Sequence, residues 1–238
     1  MNAIILAAGL GTRLRPLTND RPKCMVEVCG TPMVERQIQF LHEVGISDII
    51  LVSGYKAESL EYLKDKYGVD IVINPKYDIV NNIYSMYVVK ERFGDTYVLE
   101  GDVYMHKNCL RTDLNQSAYF SVWKEEYNRE WGLVTDSKDL LDHVHIGDGQ
   151  GYIMSGISYW TKRDAERIIA RIDELIKSGE YKNLFWDNAV IDSVSLLDPI
   201  KVYGIEGLYE IDTVEELRGV EMFLLKGYQN NLCNTNIE

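Results

Sequence analysis

The stretch Ala3-Ile4-Ile5-Leu6-Ala7-Ala8-Gly9-Leu10-Gly11-Thr12-Arg13-Leu14-Arg15-Pro16, closed by Arg21-Pro22-Lys23, decides how this chain folds. Its first part is an unbroken apolar run, the pattern of a strand buried on both faces of a parallel sheet. A glycine-rich turn follows, whose backbone N–H groups can approach an anion with no Cβ in the way. Arg13 and Lys23 add the positive charge that several phosphate oxygens require. The turn is not G-x-G-x-x-G, so the dinucleotide fingerprint fails and a dinucleotide oxidoreductase is disfavoured. Nor is it G-x-x-x-x-G-K-S/T, so a P-loop fails too.

Around this stretch the chain is acidic. It has 238 residues, 46% of them apolar, and a net charge of −12. That suits one domain with a full core and excludes a sequence-independent nucleic-acid binder, which needs a basic surface. The first twenty-five residues run the other way, with Arg13, Arg15, Arg21 and Lys23 against Asp20 alone. A cationic patch beside glycines in an acidic protein predicts anion binding. Cys24, Cys29, Cys109 and Cys233 show no metal spacing and are expected as reduced thiols, with Cys24 and Cys29 packing near the loop. The N-terminal apolar run is too short for a secretory signal, and nothing approaches the roughly twenty apolar residues of a membrane span. A cytoplasmic protein with no membrane partner, monomer or homodimer, is expected.

The first half alternates strand and helix. Thr31-Pro32 reads as N-cap and N1 of a helix carrying Val34, Ile38, Leu41 and Val44 on one face and stopping at Gly45. Strands are expected at 48–53, 69–73 and 96–99, with helices around 57–66 and 83–93. That order predicts an α/β, Rossmann-like doubly wound sheet. Ligands of such sheets lie beyond the carboxyl ends of strands, where both the Gly9 turn and Glu100-Gly101-Asp102 fall. After residue 116 the pattern changes to shorter strands at 118–124, 132–136, 140–146 and 151–159, then a Thr161-capped helix to Lys177 with Gly179 as its C-cap. Thr213-Val214-Glu215-Glu216 is a capping box opening a last helix, and 226–238 reads as a polar, mobile tail. A single domain over 1–225 is expected, with a nucleotide-binding half (1–115) and a smaller strand-rich acceptor half (116–225).

Three constellations carry chemistry. Asp102, closing a strand, and Asp212, preceding a capped helix, are the expected Mg²⁺ ligands, because Mg²⁺ takes one or two carboxylates together with phosphate oxygens. Asn81-Asn82-Ile83-Tyr84-Ser85 opens a helix, and its amides and hydroxyl also suit the edge of a pyrimidine base. Trp131, in Asn128-Arg129-Glu130-Trp131, and Trp186, in Phe185-Trp186-Asp187-Asn188, combine rings with carboxylates, as a quaternary ammonium requires. For both tryptophans a core role and a cage role stay open.

The pattern A-A-G-x-G-T-R-L/M-x-P…P-K resembles the signature of nucleotidyltransferases that join an NTP to a phosphorylated small molecule. To about residue 225 the chain further resembles the bacterial CTP:phosphocholine cytidylyltransferases, in Asn81 to Ser85, the strand ending at Asp102, Asn128 to Trp131, Ser155 to Ser158, Trp186 to Asn188 and Tyr209 to Asp212. This resemblance implies a fold of the nucleotide-diphospho-sugar transferase type and a Mg²⁺-dependent reaction of CTP with phosphocholine. It implies that Leu6, Ala8 and Gly9 lie against the nucleoside, with Asn82 and Ser85 near cytosine. Gly11, Thr12 and Arg13 would hold the β- and γ-phosphates, and Lys23 the α-phosphate. Asp102 and Asp212 would hold the metal, and Trp131, Asp187 and Glu210 would flank the choline head, with Trp186 a further candidate for substrate binding from its place beside Asp187.

Two features, the strand end Glu100-Gly101-Asp102 and Lys124 where an arginine is usual, depart from the family pattern and leave a smaller amine open. The other acceptors weighed are 2-aminoethylphosphonate, phosphoethanolamine and a sugar 1-phosphate. A non-catalytic nucleotide-binding relative would be expected to lack the lysine or a metal carboxylate. Here Arg13, Lys23, Asp102 and Asp212 are all present.

Overall fold

The opening apolar run forms strand β1 (Asn2–Ala7) at the heart of the sheet in a computed structural model, which describes residues 1–234. After the glycine turn come a small hairpin, β2 (Glu27–Val28) and β3 (Thr31–Pro32), then α1 (Met33–Glu43), β4 (Ile49–Ser53), α2 (Tyr62–Tyr67) and β5 (Asp70–Ile73). The chain continues through α3 (Ile83–Val88), β6 (Thr96–Glu100) and β7 (Val103–Met105). The second half comprises β8 (Ala118–Thr135), β9 (Leu141–Trp160), α4 (Lys162–Ser178), α5 (Trp186–Ser193), β10 (Lys201–Gly204), β11 (Leu208–Glu210) and α6 (Val214–Asn234).

Seven strands pair in the order β10-β8-β9-β6-β1-β4-β5. β5, β4, β1 and β6 run parallel, while β9 is antiparallel to both β6 and β8. This is the mixed α/β sheet expected from the alternation. Side chains of β1 show why its sequence is apolar throughout. Ala3 and Ile5 enter one core cluster with Val34, Ile38 and Leu41 of α1. Ile4 and Leu6 enter the other, with Ile83 of α3, Ile168 of α4 and Trp186 of α5. A strand covered on both faces has no polar side to present.

Several local expectations are corrected. Thr31-Pro32 is a strand of the small hairpin, and α1 begins only at Met33. The four short strands of the second half are two long ones, β8 and β9, whose pairing shifts register repeatedly between Phe120 and Thr135. Such irregularities break the two-residue alternation that marks a strand. Helix α5 was not anticipated. The predicted helix at 83–93 ends at Val88, followed by a tight turn over Lys90–Arg92. The capping box holds: the Glu216 carboxylate accepts from the backbone of Asp212 and Thr213, and Thr213 Oγ1 accepts from Glu216 N–H. The helix it opens runs past residue 226 to Asn234, so that part of the predicted tail is helical, and 235–238 lie outside the described residues. Cys24 is buried, whereas Cys29 is exposed at the tip of the small hairpin. Among the described residues no helix is long and apolar enough to cross a membrane.

Candidate active site

Two pairings bring the chemistry together. β1 lies beside β6 with Leu6 opposite Glu100, so the glycine turn and the Glu100-Gly101-Asp102 turn leave the same sheet edge side by side. β7 then pairs antiparallel with β11, Val103 opposite Glu210, and the Ile211 N–H donates to the Asp102 carbonyl at 3.1 Å. Asp102 and Asp212, far apart in sequence, therefore face each other. The oxygens of Asp102, Glu210 and Asp212 all lie within 4.8 Å of one another.

The glycine turn is fastened from beneath. Leu14 is fully buried in a third core cluster with Met33, Tyr104 and Leu217, and the Thr18 hydroxyl donates to the Gly11 carbonyl at 2.7 Å. Gly11 has φ +59°, a left-handed conformation that favours glycine. Thr12 and Arg13 stay exposed on the rim, within reach of a solvent-borne anion.

Lys23 projects into the acidic cluster. Its ammonium donates to Asp102 Oδ2 at 2.5 Å and to Asp212 Oδ1, while Arg13 Nη2 reaches Asp212 Oδ1 at 2.8 Å. Burial opposes the Lys23 charge, but Asp102 and Asp212 outweigh it and hold the ammonium above its ordinary range. Asp102 Oδ1 is buried with no hydrogen-bond partner. A carboxylate with one oxygen orphaned, in a cluster with two further carboxylates, suits a hard divalent cation, which prefers oxygen ligands.

A cleft of about 160 Å³ opens beside Lys23 and Asp102, bordered by Leu6, Ala8, Gly9, Asn82 and Ser85, all predicted to meet the nucleoside. Asn82 is not a free reader of a base, however. Its Nδ2 donates to Glu100 Oε1 at 3.0 Å and its Oδ1 accepts from the Trp186 N–H at 2.9 Å, so the amide ties α3, β6 and α5 together. Ser85 Oγ accepts from Asn74 Nδ2 at 3.0 Å, leaving its own O–H to donate. Sequence reasoning missed Asn74 and Tyr77, which also line the cleft, and read Glu100, a third lining residue, only as a departure from the family pattern. Only the small residue Gly54 hints at Tyr77, since a methyl there would overlap the Tyr77 ring and sit 2.9 Å from the Ala8 carbonyl. Gly54→Ala should thus push Tyr77 off its seat and raise the KM for the nucleotide about tenfold, a penalty of about 1.4 kcal/mol within the usual range for overpacking. An unchanged nucleotide KM in steady-state kinetics would show that Tyr77 is not a wall of the site.

The far end of the cluster is acidic. Glu100, Asp187 and Glu210 have no ion pair among the described residues. Burial, then the fields of Asp102, Asp187 and Glu210, push Glu100 well above the ordinary carboxylate range. Burial raises Asp187 to about 7, against a hydrogen bond from Tyr119. Burial followed by repulsion from Asp102 and Asp212 raises Glu210 to about 7, with Lys23 pulling it down. Trp131 is half-buried, its ring edge-on to the exposed Phe185 at 5.7 Å, and Glu130 beside it is near enough for its charge to add to the rise at Glu210. Trp186 differs from the cage expectation: it is 2% exposed and packs edge-on against Phe93 and Trp160. Its indole belongs to the core, so Phe185 and not Trp186 is the exposed partner of Trp131.

Comparison with known proteins agrees with this geometry. Residues 2–140 match the nucleotidyl transferase family. A choline-phosphate cytidylyltransferase of Streptococcus pneumoniae is 47% identical over 94% of this chain and 98% of its own length. A 2-aminoethylphosphonate cytidylyltransferase of Lancefieldella rimae is 34% identical over 91% of this chain and 90% of its own. The solved structure of a CTP:phosphocholine cytidylyltransferase from Streptococcus pneumoniae superposes with a TM-score of 0.91 at 46% identity, covering 94% of this chain and 98% of that one. A glycine turn holding cations beside paired carboxylates, on this sheet and in this company, has one meaning: the chain belongs to the nucleotidyl transferase family and is a nucleotidyltransferase.

Proposed function

We propose that the enzyme transfers the cytidylyl group of CTP to phosphocholine, giving CDP-choline and pyrophosphate, with Mg²⁺ as cofactor. One observation carries the acceptor assignment. Beyond the Lys23 pairs, Glu100, Asp187 and Glu210 have no ion pair among the described residues, and the Trp131–Phe185 ring pair is tied to them through the chain, Phe185 standing two residues before Asp187 and Glu130, next to Trp131, adding its field to Glu210. Uncompensated carboxylates with accessible rings favour a bulky cation such as a quaternary ammonium.

In this reading the nucleoside lies against Leu6, Ala8 and Gly9, with Asn74 and Ser85 at the base edge and Asn82 bracing them. Backbone N–H groups of Gly11 and Thr12, with Arg13, hold the β- and γ-phosphates. Asp102 and Asp212 would hold the metal, Glu210 beside them, and the bound ion would neutralise charge on the phosphates. The acceptor needs no general base, because a phosphate monoester oxygen is already anionic near neutral pH. It attacks the α-phosphorus in line; the new O–P bond forms as the bond to pyrophosphate breaks, and Lys23 steadies the charge that builds on the α-phosphate. Positioning and charge neutralisation do the work. A cytoplasmic setting follows from CTP as the proposed donor.

A primary amine is the second reading, favoured by the number of carboxylates and by the Lancefieldella rimae relative. Pyrophosphate release from CTP with phosphocholine, phosphoethanolamine, 2-aminoethylphosphonate and a sugar 1-phosphate separates the two. A chain inert with phosphocholine but active with another acceptor overturns the assignment. CTP binding without turnover on any of them would mark a non-catalytic relative.

The acceptor end also predicts a pH dependence. With its carboxyl at about 7, Asp187 is largely neutral below that pH and anionic above it. The KM for a cationic acceptor should therefore fall as pH rises from about 6 to about 8. The acceptor's own phosphate titrates at about 6 and Glu210 titrates at about 7 as well, so the control is Asp187→Asn, which should reduce the fall in KM above that point and leave the part owed to Glu210. A profile identical in the variant would remove Asp187 from acceptor binding.

A further inference from the structure

Helix α1 stands behind the turn that carries Asp102 and reaches it through one side chain. Gln37 is 0% exposed, and its Nε2 donates to the Glu100 carbonyl at 2.9 Å and to the Val103 carbonyl at 2.7 Å. These two carbonyls bracket Gly101 and Asp102. The Gln37 Oε1 has no hydrogen-bond partner, so this amide serves its two donor bonds at the expense of its acceptor. Its neighbour Arg36 grips the other end of β7, donating from Nε to the Met105 carbonyl at 2.5 Å and from Nη2 to the His106 carbonyl at 2.6 Å. The turn is thus pinned by α1 on one side and by the Ile211 N–H on the other. Apart from Lys23 on Oδ2, the Asp102 carboxylate has no partner of its own, since Oδ1 is orphaned. Its aim is set by the backbone beneath it.

We infer that Gln37 is a positioning residue for the reaction: by clamping the carbonyls on either side of Gly101-Asp102, it fixes where Asp102 presents its free oxygen to the divalent cation. The inference rests on the metal reading proposed above. Groups that orient a metal ligand without touching the ion typically change metal affinity by about 10- to 100-fold when removed. Gln37→Met keeps the bulk and apolar fit of the side chain and deletes both donors. Arg36→Met is the structural control, because it loosens β7 at the end away from Asp102.

The test is Mn²⁺ titration of the full chain, followed by electron paramagnetic resonance with and without CTP, alongside thermal melts and steady-state kinetics. Gln37→Met should bind Mn²⁺ about 10- to 100-fold more weakly, with kcat depressed and partly restored by excess Mn²⁺. Its KM for CTP, measured at saturating Mn²⁺, should stay within about twofold of native. Arg36→Met should melt lower yet keep native Mn²⁺ affinity. If Gln37→Met melts lower but binds Mn²⁺ as tightly as the native chain, Gln37 is merely structural and the inference is overturned while the metal reading stands. Should Gln37→Met not fold, Gln37→Asn, one methylene too short to span both carbonyls, reports the same affinity. A native chain that binds no Mn²⁺ even with CTP would instead overturn the metal reading, and the inference with it.

Discussion

Lys23→Ala should lower kcat by about 10²- to 10³-fold, the usual consequence of removing one preorganised group that meets charge developing in the transition state. The side chain sits between Asp102 and Asp212 at hydrogen-bond distance, with its ammonium held in the charged form. In that place it can turn from the carboxylates towards a phosphate without crossing solvent. The variant leaves Asp102 and Asp212 facing each other, but Arg13 still pairs with Asp212, so the acidic cluster is not stripped of positive charge. Neither large core cluster includes Lys23, and a thermal melt should show a cooperative transition. Pyrophosphate release measured at saturating CTP and acceptor checks the effect on kcat. Near-native turnover in a folded variant would remove Lys23 from the chemistry.

Asp102→Asn is expected to have the largest effect of all, about 10³-fold or more in kcat, corresponding to about 4 kcal/mol of lost transition-state stabilisation. The substitution keeps shape and removes one formal charge from the oxygen cluster at 4.8 Å. Asparagine offers a neutral carbonyl and an N–H₂ that cannot bind a cation, and either orientation spoils one side of the site. If the amide N–H₂ meets Lys23, two donors clash; if it replaces the orphaned Oδ1, the metal loses a ligand. Calorimetric titration with Mg²⁺ should show affinity falling in step with turnover. Asp102→Asn that keeps both native metal affinity and native kcat would mean the ion is held elsewhere. Asp212→Asn should resemble it in kinetics, but it also frees Arg13 and Lys23 from their shared partner.

Much of the fold was legible because local rules and tertiary demands agreed. The β1 run is apolar at every position since both its faces are covered, and the Thr213 to Glu216 capping box is written into four consecutive residues. In the β8–β9 hairpin the strand content was legible but the continuity of the two long strands was not, because register shifts interrupt the alternation by which a strand is followed. Trp186 was equally opaque: a tryptophan next to an aspartate looks the same whether its ring faces a ligand or, as here, Phe93 and Trp160. Asn82 read as a cap and a base reader, but its amide bonds run to residues 18 and 104 positions away.

By itself the sequence determined the glycine turn, the cations Arg13 and Lys23 that flank it and the sheet class, because each is encoded by neighbouring residues or by periodicity; Asp102 and Asp212 stood out only through the signature and the family resemblance. Only the tertiary structure decided that Asp102 meets Asp212 across β7 and β11, that Lys23 lies between them, and that Gln37 holds the turn from behind. Those relations join segments far apart along the chain, and no local pattern records which strand will lie beside which.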